Sequence, residues 1–310
     1  MSQITNSILM VRPVNFRMNP ETAVNNYFQQ DLSVKNEVIN TLAQKEFDAF
    51  VEKLRAVGVQ VIVIEDDLNA DTPDSIFPNN WVSFHENGDI GLYPMFAENR
   101  RRERREDVFL TLEEEGFHIN NIVDYTSAEE EGVFLEGTGS ILLDRVNRKA
   151  YCSISARADE DLFIEFCEDF EYTPIVFNAN QDVDGKRLPI YHTNVMMCLA
   201  TQFSVICLDA INDKKQRKTV VNSLRQDGKT IIAITEVQMH QFAGNMLEVE
   251  GHKGQSYLVM SEAAHHSLNA QQIETIEKFC PILSSSLETI ETCGGGSARC
   301  MMAEVFLPRE

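Results

Sequence analysis

Three residue types in this chain can together carry out nucleophilic chemistry: the thiol of Cys300, the imidazole of His192 and the carboxylate of Glu136. Cys300 follows Gly294, Gly295 and Gly296, a run whose backbone can turn tightly and approach a ligand. A cysteine attacks as its thiolate, so a base, a cation or a helix N-terminus must bring its pKa down from about 8.5. His192 can take up that proton and later return it to a leaving group. Glu136, just ahead of Gly137 and Gly139, can orient the imidazole and balance its charge. Taken singly, each has an ordinary alternative: a core thiol, a hydrogen-bonded strand histidine and a loop carboxylate.

Their spacing in the chain distinguishes these readings. The segment NWVSFHENGDIGLYPM, beginning at Asn80, reads as two short strands around an Asn-Gly turn, followed by a charged helix over 101–115 and the strand HINNIVDY. From Glu136 the order strand, strand, helix, strand returns in GSILLDRVNRKAYCSI, ADEDLFIEFCEDF and TPIVFNA. From His192 it returns in NVMMCLATQFSVICLDA, KKQRKTVVNSLRQDG and TIIAIT. A fourth copy runs through GNMLEVEGHKGQSYLVM, NAQQIETIEKF and PILSSSLE. A fifth begins at GGGSARCMMAEVFLP and must be completed by ILMVRP, FDAFVEKLRAVG and VQVIVIED from the other end of the chain.

The unit starts at Asn80, Glu136, His192, Asn245 and Cys300 are separated by 56, 56, 53 and 55 residues. A fixed period of this length predicts a repeat architecture, here five α/β blades closed into one propeller domain over residues 1–310. Equivalent positions in different blades would then converge at one end of a central channel. Those positions carry a nucleophile, a base, a carboxylate and the amides of Asn80, Asn194 and Asn245.

Composition narrows the function classes. The formal net charge of −21 argues against nucleic acid, which needs clustered cations to displace counterions. The single basic run, residues 100–105, is interrupted and followed by acidic residues, so it reads as a solvated helix start without a binding role. The first residues lack a charged and then apolar leader, and no stretch approaches the roughly 18 apolar residues of a membrane span. These features predict a soluble cytoplasmic protein with a small-molecule partner; a homodimer is allowed. The seven cysteines form no paired metal-binding motif and, Cys300 apart, are expected in the core.

The motifs resemble those of the guanidino-group-modifying superfamily. GGGSARCMM is similar to the C-terminal cysteine motif of arginine deiminases, agmatine deiminases and dimethylarginine dimethylaminohydrolases; FLEGTGSIL resembles their Glu-Gly strand and YHTNVMM their histidine strand. The resemblance spans nearly the whole chain. It implies a five-bladed α/β propeller in which Cys300 is the nucleophile, His192 the general acid and base, and Glu136 the supporting carboxylate, with no metal and no cofactor. Pro73-Asp74-Ser75-Ile76-Phe77 looks like the substrate loop of the dimethylarginine hydrolases, which implies that Asp74 contacts an α-amine. Ser155-Ala156-Arg157 looks like the segment whose arginine holds an α-carboxylate, which implies that role for Arg157.

Where arginine deiminases flank the guanidinium with carboxylates, this chain has Asn80 and Asn194. Amides cannot neutralise a buried cation, but they can hydrogen-bond a neutral ureido group. The segment Phe77-Pro78-Asn79-Asn80-Trp81 and the motifs around His192 and Cys300 most resemble citrulline-utilisation hydrolases, which implies conversion of citrulline to ornithine, ammonia and carbon dioxide, with an arginine dihydrolase or deiminase as the alternative. Two other classes remain open. A metal hydrolase could use His240, His252, His265 and His266, although their spacings match no established ligand pattern. A non-catalytic binding protein could use the same fold. The segment 15–36 is a candidate lid, and Asn245 has no assigned role.

Overall fold

The computed structural model describes residues 2–309. Five three-stranded sheets recur along the chain, all built alike: the first two strands are antiparallel and the third lies parallel to the second. Val82–Phe84, Asp89–Leu92 and Asn121–Asp124 form one; Ile141–Asp144, Lys149–Ser153 and Thr173–Phe177 form the next. Met197–Leu199, Phe203–Ile206 and Thr230–Ala233 follow, then Leu247–Glu250, Ser256–Ser261 and Ile282–Ser285. The fifth sheet joins the two ends of the chain. Its first strand, Ala303–Glu304, pairs with Ser7–Arg12 through Leu9 and Ala303, and Ser7–Arg12 runs parallel to Gln60–Glu65.

The parallel step needs a crossover, and a helix supplies it in every unit. These helices are Asn36–Ala56, Glu106–Glu114, Glu160–Asp169, Lys214–Gln226 and Ala270–Glu277. Several have strong start signals: Asp159 accepts from the backbone N–H of Leu162, Asp213 from those of Lys215 and Gln216, and Asn269 forms a capping box with Gln272. First strands such as Val82–Phe84 and Ile141–Asp144 are buried throughout, whereas third strands such as Asn121–Asp124 are largely exposed. The first strands are therefore the inner ones, and the chemistry-bearing residues stand immediately before them.

Three expectations need correction. The helix over 101–115 is broken: residues Glu98–Glu103 form a 3-10 helix, and the α-helix starts only at Glu106. Buried Arg100 and Glu103 anchor the first piece, so the basic run is not a solvated helix start. His192 and Glu136 do not lie in strands; each precedes a single helical turn, Thr193–Met196 and Gly137–Ser140, before its inner strand begins. An additional hairpin, Asn180–Val183 with Lys186–Pro189, precedes His192. Asp184 and Gly185 make its two-residue turn, both at positive φ, so the Asp-Gly signal was present in the sequence.

The long helix Asn36–Ala56 also serves the site. Ile39, Ala43, Phe47, Phe50 and Leu54 recur at helical spacing and are buried. Burial of each phenylalanine contributes about 2–3 kcal/mol. From the same helix Glu46 accepts the backbone N–H groups of Thr289 and Ile290 at 2.9 and 3.1 Å, fixing the start of the helix Glu288–Gly294 that leads into the glycine run.

Candidate active site

Each unit delivers one polar group from the turn ahead of its inner strand. Asn80 ends the 3-10 turn Pro78–Asn80, Glu136 and His192 precede their helical turns, and Cys300 lies in the turn before Ala303–Glu304. A small cavity of about 10 Å³ is lined by Asp74, Asn80, Arg157, His192 and Cys300, together with Arg100. All are at least nine-tenths buried. Close approach of these turns requires glycine at position 139, where a Cβ would sit 2.3 Å from Asn80 Nδ2 and 2.9 Å from His192 Nδ1. Of the glycine run, only Gly295 adopts positive φ; Gly294 and Gly296 instead leave room for the ring of Phe77.

His192 Nε2 lies 2.7 Å from Glu136 Oε2. Glu136 Oε1 accepts the backbone N–H of Phe96 at 3.0 Å, and Arg157 Nη1 lies 3.4 Å from Oε2. Burial alone would raise the Glu136 pKa, but Arg157, the His192 contact and Arg100 hold it well below the ordinary carboxylate value. Burial pushes His192 the other way, down from its ordinary value, aided by Arg157 and Arg100 and opposed by Glu136. At neutral pH the pair is therefore a carboxylate facing a neutral imidazole. The carboxylate takes the Nε2–H, which leaves Nδ1 as the basic nitrogen.

The Cys300 sulfur meets two amides: Asn245 Nδ2 at 3.1 Å and Asn194 Nδ2 at 3.4 Å. Asn194 Oδ1 is buried without a hydrogen-bond partner. Asp74 has the same asymmetry: Oδ2 accepts from Asn19 Nδ2 at 2.8 Å and Thr22 Oγ1 at 3.0 Å, while buried Oδ1 accepts from nothing. Unpaired buried acceptors are costly, so each can take a donor brought from outside the chain.

Arg157 lies over the ring of Tyr191 at 4.9 Å and is tied to segment 15–36: Nε donates to Asn25 Oδ1 at 2.9 Å and Nη2 to the Thr22 carbonyl at 2.9 Å. The same segment reaches the glycine run, where Asn26 and Gln29 donate to the Gly294 carbonyl. Thr22 and Asn26 close one wall of the cavity.

Arg100 is the main residue that the sequence reading misplaced. Its guanidinium is held by Glu103 at 2.9 Å, by Asn80 Oδ1 at 2.8 Å and by the Phe77 carbonyl at 3.1 Å. A cation thus already occupies the oxygen of Asn80. The Arg100-Glu103 spacing was the only available sign, since i,i+3 partners on a helical turn face each other. Asn19, Thr22 and Asn25 were also missed. They are short polar residues in an irregular segment, and only long-range contacts give them a place.

A sequence model of the family described as "N,N dimethylarginine dimethylhydrolase, eukaryotic" matches residues 12–307. The chain belongs to this family. Its members are guanidino-group hydrolases acting on C–N bonds within the superfamily that the cysteine and histidine motifs resemble. The fold is that of solved superfamily members. Similar structures include ArgZ, an arginine dihydrolase from the ornithine-ammonia cycle in Cyanobacteria, at 18% identity and TM-score 0.71. That match covers 98% of this chain and 41% of ArgZ, so the chain spans about two fifths of its neighbour's length. A variant of the ArgZ N-terminal domain covalently bound to a reaction intermediate matches at 17% identity and TM-score 0.69, over 97% of this chain and 99% of that one. A His-to-Gly variant of dimethylarginine dimethylaminohydrolase in an adduct with S-methyl-L-thiocitrulline matches at 13% identity and TM-score 0.64, over 97% and 100%. No curated protein sequence matches significantly. Among the described residues no helix is long and apolar enough to cross a membrane.

Proposed function

We propose that this family member is a cysteine hydrolase that converts citrulline to ornithine, ammonia and carbon dioxide through a covalent Cys300 intermediate. One observation carries the reading. Two buried acceptors without partners, Asp74 Oδ1 and Asn194 Oδ1, belong to the same site as the Cys300 thiol and the Glu136-His192 pair. In this reading Asp74 receives the α-ammonium, Arg157 the α-carboxylate, and Asn194 an N–H of the ureido end. The five sheets would close as a single propeller domain, with the chain ends completing one blade.

His192, neutral at rest, takes the Cys300 proton. The thiolate attacks the ureido carbon; the C–N bond to the terminal nitrogen breaks, and the imidazolium, steadied by Glu136, gives its proton to the departing ammonia. The product is an S-carbamoyl cysteine carrying the amino acid through its side-chain nitrogen. His192 then removes a proton from water as the oxygen adds to that carbon, and the C–S bond breaks. The released carbamic acid loses carbon dioxide to leave ornithine. The adduct and the covalent intermediate named for the two structural neighbours support covalent chemistry on this fold.

Arg100 favours the neutral substrate. Where a deiminase would place a carboxylate, Asn80 offers an amide whose oxygen already receives Arg100 Nη1 at 2.8 Å. A guanidinium there would meet a fixed like charge. The second reading, arginine dihydrolysis, is favoured by the likeness to ArgZ and by Glu136, whose carboxylate can face a cation. Incubation of the protein with citrulline and with arginine separately, with ornithine, citrulline and ammonia quantified by mass spectrometry and coupled assay, decides between them. Ornithine from citrulline alone is the expected result. Ornithine from both substrates would establish the dihydrolase, citrulline accumulating from arginine would establish a deiminase, and inertness toward both would overturn the proposal.

A further inference from the structure

We infer that Asn245 is a catalytic residue that donates a hydrogen bond to the Cys300 thiolate, forming with Asn194 an uncharged cradle for the reacting sulfur. This rests on Cys300 being the nucleophile and adds a role for the one unit start that had none. Asn245 occupies in the fourth unit the phase that Asn80, Glu136, His192 and Cys300 occupy in theirs. Its side chain is fully buried.

The hydrogen-bond network fixes the orientation of this amide. One end accepts two backbone donors, the N–H groups of Arg299 at 3.0 Å and Cys300 at 3.4 Å, and only the oxygen can do so. The NH₂ group must therefore be at the other end, where it donates to the Asn194 carbonyl at 3.0 Å and meets Cys300 Sγ at 3.1 Å. An NH₂ group cannot accept, so the sulfur must. Hydrogen bonding to the charged form of a group favours that form, and a thiolate accepts far better than a thiol. Asn194 repeats the arrangement from the neighbouring unit at 3.4 Å. Two neutral donors can thus support the anion without another cation in a cavity that already holds Arg100 and Arg157.

The charged and titratable groups around the sulfur are His192, Arg100, Arg157, Asp74 and the Tyr191 phenol on the cavity wall, with Glu136 behind His192. None of these is altered by a change at position 245. Asn245→Ala removes the donor facing the sulfur without adding charge, so it isolates the amide. In Asn245→Asp an oxygen still accepts from Arg299 and Cys300, but the lost donor is replaced by a negative charge beside the sulfur.

The test is the rate of Cys300 alkylation by iodoacetamide as a function of pH, followed by peptide mass spectrometry on the full chain and both variants, with thermal melting as the check on folding. The midpoint is expected to move upward by about one pH unit in Asn245→Ala, and further in Asn245→Asp, whose carboxylate adds repulsion to the lost donor. kcat at neutral pH should fall about 10- to 100-fold with KM little changed. If Asn245→Ala does not fold, an unshifted curve in Asn245→Asp overturns the inference by itself. Alkylation curves that coincide with the wild type would reduce Asn245 to a loop support and overturn the inference. Wild-type turnover separates the two failures: activity with an unshifted curve removes only the role of Asn245. A Cys300 no more reactive than the core thiols, with no turnover, removes the enzymatic reading itself.

Discussion

Cys300 and Cys152 are both buried thiols, and both belong to the inner half of a three-stranded unit. Cys152 lies within the strand Lys149–Ser153 among Ile141, Phe163 and Phe166, with a long contact to the Ser153 carbonyl at 3.9 Å and the Thr193 side chain beside it. Burial there pushes the thiol pKa up, out of reach of nucleophilic chemistry. Cys300 is nearly as enclosed, but its sulfur meets two amide donors and shares its cavity with His192 and two arginines. Burial alone makes a thiol inert. In the proposed mechanism the nucleophile is instead the cysteine one turn ahead of its strand, where the polar turns of several units converge.

The largest effect should come from exchanging the two positions as targets. Cys300→Ala is expected to reduce turnover at least about 10⁴-fold while leaving the fold intact. Cys152→Ala should leave kcat unchanged and lower stability by about 1 kcal/mol, as the loss of a small core group does. Steady-state kinetics and denaturant unfolding on both variants check this. Appreciable turnover in Cys300→Ala would dissolve the contrast.

A smaller loss, about 10³-fold in kcat, is expected for Glu136→Gln, which keeps the shape next to His192 but removes the charge that steadies its imidazolium. The sign of the accompanying pH effect is determined. Glu136 raises the proton affinity of His192, so its removal should shift the acid limb of kcat/KM to lower pH. In the wild type that limb is expected below the ordinary histidine value of about 6.5, because burial lowers the His192 pKa. A profile that moves toward higher pH would contradict the assigned pair.

The smallest effect concerns stability alone. Glu291, beneath the glycine run, accepts from Ser297 Oγ at 2.6 Å, and its burial pushes its pKa up to about 7. The folded protein therefore holds this proton more tightly than the unfolded chain. The stabilisation is full below the ordinary value of 4.5 and disappears as pH rises through about 7, at most about 3 kcal/mol. Glu291→Gln should flatten the decline in unfolding free energy between pH 5 and pH 8 without altering kcat. An identical slope in the two proteins would show that Glu291 is already ionised in the fold.

The repeat was legible because it is local: an inner hairpin, an amphipathic helix and a return strand each announce themselves through alternation, helical spacing and turn residues, and their period places Glu136, His192 and Cys300 in phase. Asp74 and Arg157 carry no such period, and only the resemblance of their short motifs pointed to them. Arg100 was not legible. A run of arginines with glutamates has the composition of a solvated surface, and only contacts with Asn80 and Phe77, 20 and 23 residues earlier, turn its first member inward. Segment 15–36 raised only the idea of a cover, because its asparagines carry no period.

The sequence by itself determined the units, their order and the residues each brings to its inner turn, since these follow from short-range periodicity and side-chain chemistry. Only the tertiary structure decided which oxygen of Asp74 and Asn194 is left without a donor, that Arg100 occupies Asn80, and that the Asn245 amide must face the sulfur. Those are properties of hydrogen bonds between distant parts of the chain. Each depends on every other donor and acceptor in a closed cavity having already found its partner.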